Sequence, residues 1–362
     1  MIALRVAGVV AGVLLALGTV LSAVRTVVLP RGTRSRLASS VFSLLHMAFT
    51  LRLGRAADYA RRDRVFASYG PIALLSLLQT WLLTVFVGFA VAHYCLSPER
   101  GVGDAFTVSG SSLLTLGVDV PHGGLATALT FVEASMGLLI VALLIGFLPT
   151  IYGAFTRREA MVIRLEVRAG NPPTGGQWLL RAHRIGRLSQ LDEAWSQMEE
   201  WFNELAESHT SFPALVYFRS SQPELSWVTA AGAALDAAAL LESSVDTPHS
   251  VEAQLCLRAG TLSLRTLCDY FRIPFPADPQ PGDPITVTRD EWAGVVDELA
   301  AAGMDLVADR EQAWRDFAGW RVNYDVTLVA LAALAQAPYA PWSSDRSLAH
   351  LPGRRAVAAS RR

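Results

Sequence analysis

Lysine is absent, so all 31 fixed positive charges of the chain are arginine guanidinium groups. That bias is the one expected of a GC-rich bacterial genome, and it carries no implication of nucleic-acid binding. Cysteine is scarce: Cys95, Cys256 and Cys268 show no C-x-x-C or zinc-finger spacing and are too few for a disulfide framework. They are expected to be ordinary apolar fillers. Motifs of catalysis are missing as well, with no G-x-S-x-G, H-E-x-x-H or P-loop, and His183, His209 and His249 are too scattered to argue a metal site. The run from Gly170 to Gly176 is glycine-rich but lacks G-x-G-x-x-G spacing after a strand, so it reads as a linker. No catalytic residue, resident metal, cofactor or Rossmann-type nucleotide sensor is therefore expected. Charge itself is thin: 17% of residues are charged against 52% hydrophobic, too apolar for an ordinary soluble protein of this size.

What is present is long apolar runs. Residues 6–24, 71–94 and 125–152 each supply the roughly 20 helical residues that a hydrocarbon core requires. The first is longer than the ~7 to 15 residues of a signal-peptide core, and is read as an uncleaved span. Residues 37–51 are shorter, interrupted by Ser39, Ser40, Ser43 and His46 and flanked by arginines, which reads as an interfacial helix.

Charge then orients the spans. Residues 1–157 hold twelve Arg and six acids, net +6, while residues 158–362 hold nineteen Arg and twenty-six acids, net −7. Nine of the arginines lie between Arg25 and Arg64 with only two Asp, which places that stretch in the cytoplasm. Residues 96–123 carry Arg100 alone against three acids and should face outside. Arg157 and Arg158 mark the cytoplasmic exit of the third span. The expected topology has the N-terminus outside the cell membrane and the C-terminal half in the cytoplasm.

The external loop holds the most informative pattern. Residues 104–114 suit a short helix with Asp104 as N-cap, followed by Thr115-Leu116-Gly117-Val118-Asp119-Val120-Pro121. The bland reading is an external linker that never enters the bilayer. The order span, short helix, Thr-x-Gly turn, acid, proline, span resembles that of the two-span potassium-channel family over residues 71–155. The resemblance implies that the loop dips into the membrane, that Thr115, Leu116 and Gly117 match the filter Thr-Val-Gly, and that Asp119 and Pro121 match the acid and proline beyond it. Val118 stands where an aromatic is usual, and the second filter glycine is deleted or replaced by Asp119. In the pattern that the resemblance implies, four copies surround one axis and a monovalent cation such as K+ is the permeant species. The alternative is a membrane-anchored scaffold or sensor that keeps the pore architecture without conducting.

Five neighbouring residues have two readings each. Glu133, the only acid of the third span, is either a functional carboxylate behind the loop or an interfacial residue near the helix start. Gly137 and Gly146 are gating hinges or sites of close helix packing. His93 and His122 are pH sensors of the outer mouth or bystanders.

The remaining chain has helical periodicity. In residues 189–207, Leu191, Ala194, Trp195, Met198, Trp201, Phe202 and Leu205 recur at three-and-four spacing opposite Asp192, Glu193, Glu199, Glu200 and Glu204. Further helices are predicted at 223–243, 251–271, 289–302 and 310–337, with Thr288 and Glu291 as a capping box and Pro338 as a stop. Two motifs here, Trp314 to Asp325 and Ala340 to Asp345, also resemble those of bacterial potassium-channel-like proteins. The expected fold class is an all-α membrane protein: an N-terminal span (1–30), a basic cytoplasmic segment (31–69), a helix-loop-helix unit (70–155), a helical cytoplasmic domain (156–342) and a disordered tail (343–362). Lipid and further copies of the chain are the expected partners, nucleic acid is not, and any cytoplasmic partner is undefined.

Overall fold

A computed structural model describes residues 2–27, 36–53, 59–121 and 123–348. His122, residues 349–362 and several arginines of the basic stretch, among them Arg31, Arg34 and Arg55, lie outside the described residues. Every regular element described is helical, and the one β pairing is an isolated bridge between Val245 and Leu306. Three helices are long and apolar enough to cross a membrane: α1 (Ile2–Val27), α4 (Tyr69–Leu96) and α6 (Gly124–Ala169). The chain is thus an all-α, membrane-embedded protein with two compact units that divide between Gly153 and Ala154.

In the first unit α1 and α4 touch backbone to backbone. A Cβ on Gly12 would lie 2.2 Å from the Gly88 carbonyl oxygen, so only glycine permits this approach, and small residues at such crossings are the usual means of packing helices in lipid. Gly8 faces Cys95 while Gly12 faces Gly88, so the two helices run antiparallel. Antiparallel packing puts the end of α1 and the start of α4 together, and α2 (Arg36–Leu53) and α3 (Tyr59–Ala67) connect them there. Tyr69 on α4 donates to the Phe42 carbonyl of α2 at 2.9 Å, and Phe49 and Phe66 pack around its ring. The outward faces stay apolar and exposed, with Leu14, Leu75, Leu83, Phe131 and Ile145 among them. In lipid those faces need no protein cover.

The second unit is built around α9 (Trp227–Ser244), every residue of which is buried. A helix apolar on all sides belongs in the centre of a bundle. Around it lie α7 (Gly175–Arg184), α8 (Asp192–Ser211), α10 (Val251–Phe271), α12 (Arg310–Arg321) and α13 (Asp325–Ala335), with α11 (Arg289–Ala301) against α7. Side-chain caps start these helices: Thr174 for α7, Ser226 for α9, Ser250 for α10 and Asp309 for α12. Thr288 and Glu291 form the expected capping box of α11. One acid, Asp236, sits in the middle of α9. Arg321 and the Tyr324 hydroxyl both donate to it, and Arg321 also bonds Asp325 at 2.8 Å and the Trp342 carbonyl. Burial works against the Arg321 charge, but the two carboxylates outweigh it and hold its pKa above the ordinary arginine value. Cys256 and Cys268 are buried, and burial pushes the Cys268 thiol up to about 12.

Four expectations from sequence are corrected. The third apolar helix does not end near Tyr152; it runs through Pro149 and on to Ala169, and stops at Gly170, whose φ of +89° is a glycine conformation. Gly175 and Gly176 are not linker but the buried first turn of α7, where a Cβ on Gly175 would lie 2.5 Å from the Ala237 nitrogen. The single helix predicted over 310–337 is two, since the Asn323 amide captures the Gly319 and Trp320 carbonyls and Tyr324 turns out at φ −124°. The segment from Ser343 is packed rather than loose, at least as far as Arg346: Ser343 is buried and Arg346 pairs with Glu291 at 2.6 Å.

Candidate functional site

The site is the hairpin made by α4, a short helix α5 (Gly101–Leu113) and α6. α5 follows a 3-10 turn at Pro98–Arg100 and so begins before Asp104, which lies in its first turn and is not the expected N-cap. Instead of continuing away from α4, α5 runs back alongside it. Ser109 donates to the Phe86 carbonyl at 2.9 Å, about 15 Å back from the end of α4 at 1.5 Å per residue. The last residue, Leu113, packs on Gly137, about 20 Å along α6 from its first residue. A Cβ on Gly137 would lie 2.4 Å from the Leu113 carbonyl oxygen, so this glycine is a packing residue. Gly146 has open space around it and makes no such contact within the chain.

Behind α5, three helices place polar groups together in an apolar layer. Glu133 of α6 is fully buried, and the Ser109 hydroxyl of α5 lies in short hydrogen-bond contact with its Oε1, sharing its single proton between that oxygen and the Phe86 carbonyl. Its Oε2 lies 3.4 Å from Nε2 of His93 on α4. That separation is ion-pair distance without hydrogen-bond alignment, and neither atom has another partner. Glu133 is therefore covered by protein and ties α4, α5 and α6 together. Burying a carboxyl is costly unless it is partnered; Ser109 supplies a hydrogen bond to one oxygen, and His93 only proximity to the other.

The loop beyond α5 is folded by identifiable bonds. The Leu116 N–H donates to the Ser111 carbonyl at 2.8 Å and the Thr115 N–H to Ser112 at 3.1 Å, the pairing of a Schellman helix end. Thr115 occupies the left-handed position of that motif, at φ +54°, where glycine is ordinary and a β-branched residue is strained. Gly117 follows at φ +69°. The Ser111 hydroxyl then accepts the N–H groups of Val118 at 2.8 Å and Asp119 at 3.2 Å, and Thr127 donates to the Pro121 carbonyl at 3.2 Å. Arg100 grips both Asp119 oxygens, at 2.8 and 3.1 Å, and its Nε lies 3.8 Å from Asp104. Asp104 and Asp119 thus meet through a shared arginine. The side chains of Leu114, Leu116, Val118 and Val120 are exposed in the single chain.

Sequence reasoning missed Ser109, Ser111 and Arg100. Their signal was the serine cluster Ser109-Gly-Ser-Ser112 inside an apolar helix, and the lone basic residue in an acidic loop. Among the described residues, no three His, Cys, Asp or Glu side chains converge as a metal set. Comparison with protein-family models, with characterised proteins and with solved structures found no match.

Proposed function

We propose that the unit from residue 70 to 155 is one quarter of a tetrameric, potassium-channel-like pore for monovalent cations, with α5 as pore helix and Thr115 to Asp119 as the filter segment. One observation carries the reading. A short helix between two spans folds back so that its C-terminus meets Gly137 about 20 Å along α6, within the apolar layer. Irregular backbone at that depth is tolerated only where it lines a cavity or is covered by protein. The exposed Leu114, Leu116, Val118 and Val120 then face other copies of the chain, and a single loop supplies a quarter of a ring. The partial negative charge at the C-terminus of α5 points where a dehydrating cation needs it. Asp119 in place of a filter glycine removes the carbonyl arrangement that selects potassium, so Na+ passes too. The antiparallel α1 and α4 together with the arginine-rich connection 25–64 support an N-terminus outside the cell membrane and a cytoplasmic second unit.

A second reading draws on the loop itself. Thr115 closes the helix in a left-handed turn and Asp119 is clasped by Arg100, which suits a membrane-anchored scaffold or sensor that does not conduct. Native mass spectrometry and liposome flux on the same preparation separate the two. The channel reading expects four chains and monovalent flux; a verified tetramer that is silent across voltage and pH favours the scaffold.

A further inference from the structure

We propose that Arg100 is a specificity-determining residue of the outer mouth: its guanidinium is a tethered cation seated between Asp119 and Asp104, and it keeps divalent ions from that seat. The consequence for conduction rests on the channel reading, but the exclusion of divalent ions does not. The place of Asp119 is set by its main chain rather than by Arg100. Its N–H and that of Val118 are both held by the Ser111 hydroxyl, and two residues on Thr127 holds the Pro121 carbonyl. The carboxylate would therefore stay where it is if the guanidinium were removed. Both its oxygens lie within 3.1 Å of one Arg100 nitrogen, and Asp104 approaches the same guanidinium from α5 at 3.8 Å. A small cation at that point would meet two carboxylates, hard oxygen donors of the kind that bind calcium, magnesium and manganese.

Charge decides what enters. With Arg100 in place the three groups sum to −1; without it the same space carries −2 and no tethered competitor. Arg100, Asp104 and Asp119 are each open to solvent, so an ion reaches the seat without displacing packed side chains. All three charged side chains are partly exposed, and such pairs contribute little to stability, so replacing Arg100 changes the ion chemistry more than the fold.

The test is Mn2+ binding, followed by electron paramagnetic resonance, to purified full-length protein and to Arg100→Gln, Arg100→Lys and Arg100→Gln/Asp119→Asn. Removal of one unit charge a few ångströms away should tighten Mn2+ binding in Arg100→Gln by about tenfold or more. Arg100→Lys keeps the charge and should stay near native, and the double variant should lose the gain. Native protein that binds Mn2+ as tightly as Arg100→Gln, or a double variant that keeps the gain, overturns the proposal. Should Arg100→Gln fail to yield folded protein, Asp119→Asn decides against native Mn2+ binding: any native binding that it abolishes shows that Arg100 does not guard the seat. In liposomes external Mn2+ should block flux through Arg100→Gln but not through native protein. If neither conducts, the channel reading falls while the binding result still decides the role of Arg100.

Discussion

The two units bury acids in opposite ways. Asp236, at the centre of the second unit, is met by a fully buried arginine and a tyrosine hydroxyl, and its partner Arg321 is in turn tied to Asp325, whose carboxylate also accepts from the Thr286 N–H and hydroxyl. Glu133, in the first unit, has one serine hydroxyl and a histidine nitrogen at 3.4 Å that forms no aligned hydrogen bond. A saturated network fixes a fold and resists change. An under-satisfied carboxyl among three helices leaves a group that can respond, and such groups concentrate at functional positions. Close approach on glycine is common to both units, at Gly12, Gly88 and Gly137 in the first and at Gly175 against α9 in the second, so it is the treatment of buried charge that separates them.

Removing one partner from the saturated network should give the largest effect. Arg321→Met leaves Asp236 and Asp325 buried without their countercharge, and the second unit should lose about 3–5 kcal/mol in urea unfolding followed by tryptophan fluorescence. In the membrane unit the comparable blow is steric. Gly12→Leu forces α1 off α4 and should cost about 1–3 kcal/mol, read as a lowered melting temperature in detergent. Unchanged melting would mean that the two helices do not meet at Gly12 and Gly88.

Acid should separate the units as well. His209 of α8 is fully buried beside Arg158, and burial first, then the arginine charge, hold its pKa well below 6.5. The unfolded chain takes up a proton near pH 6.5 and the folded one does not. Stability of the second unit is therefore fully present above about pH 6.5 and falls by up to about 1.4 kcal/mol per pH unit below it. His209→Gln should flatten that slope; a slope unchanged by the substitution would assign the acid sensitivity elsewhere. The smallest effect concerns the loop. Thr115→Gly relieves a left-handed β-branched residue and should raise detergent stability by about 1 kcal/mol, the scale of strain stored at such positions.

Local signals in the sequence translated well. Three uninterrupted apolar runs of sufficient length became α1, α4 and α6, and α10 spans residues 251–271 as its periodicity predicts. The misses share a cause, which is dependence on partners distant in sequence. Gly175 and Gly176 look like a linker until α9 meets the first and Val295 of α11 meets the second. Asn323 and Tyr324 break a helical pattern through bonds that no periodicity records. At the site, Asp104 and Glu133 were visible as lone acids, yet their roles come from Arg100, Ser109 and His93, which only folding brings near.

In the proposed pore α5 presents a cation path at the axis of four chains, and Gly137 is the residue on which that presentation depends. The most direct measurement is K+ and Na+ flux through liposomes holding verified tetramers of native protein and of Gly137→Leu, which must push the end of α5 aside. Flux of both ions through native protein, lost in Gly137→Leu while the tetramer persists, is the predicted result. A native tetramer that stays silent at every voltage and pH, or flux that Gly137→Leu leaves intact, would contradict it.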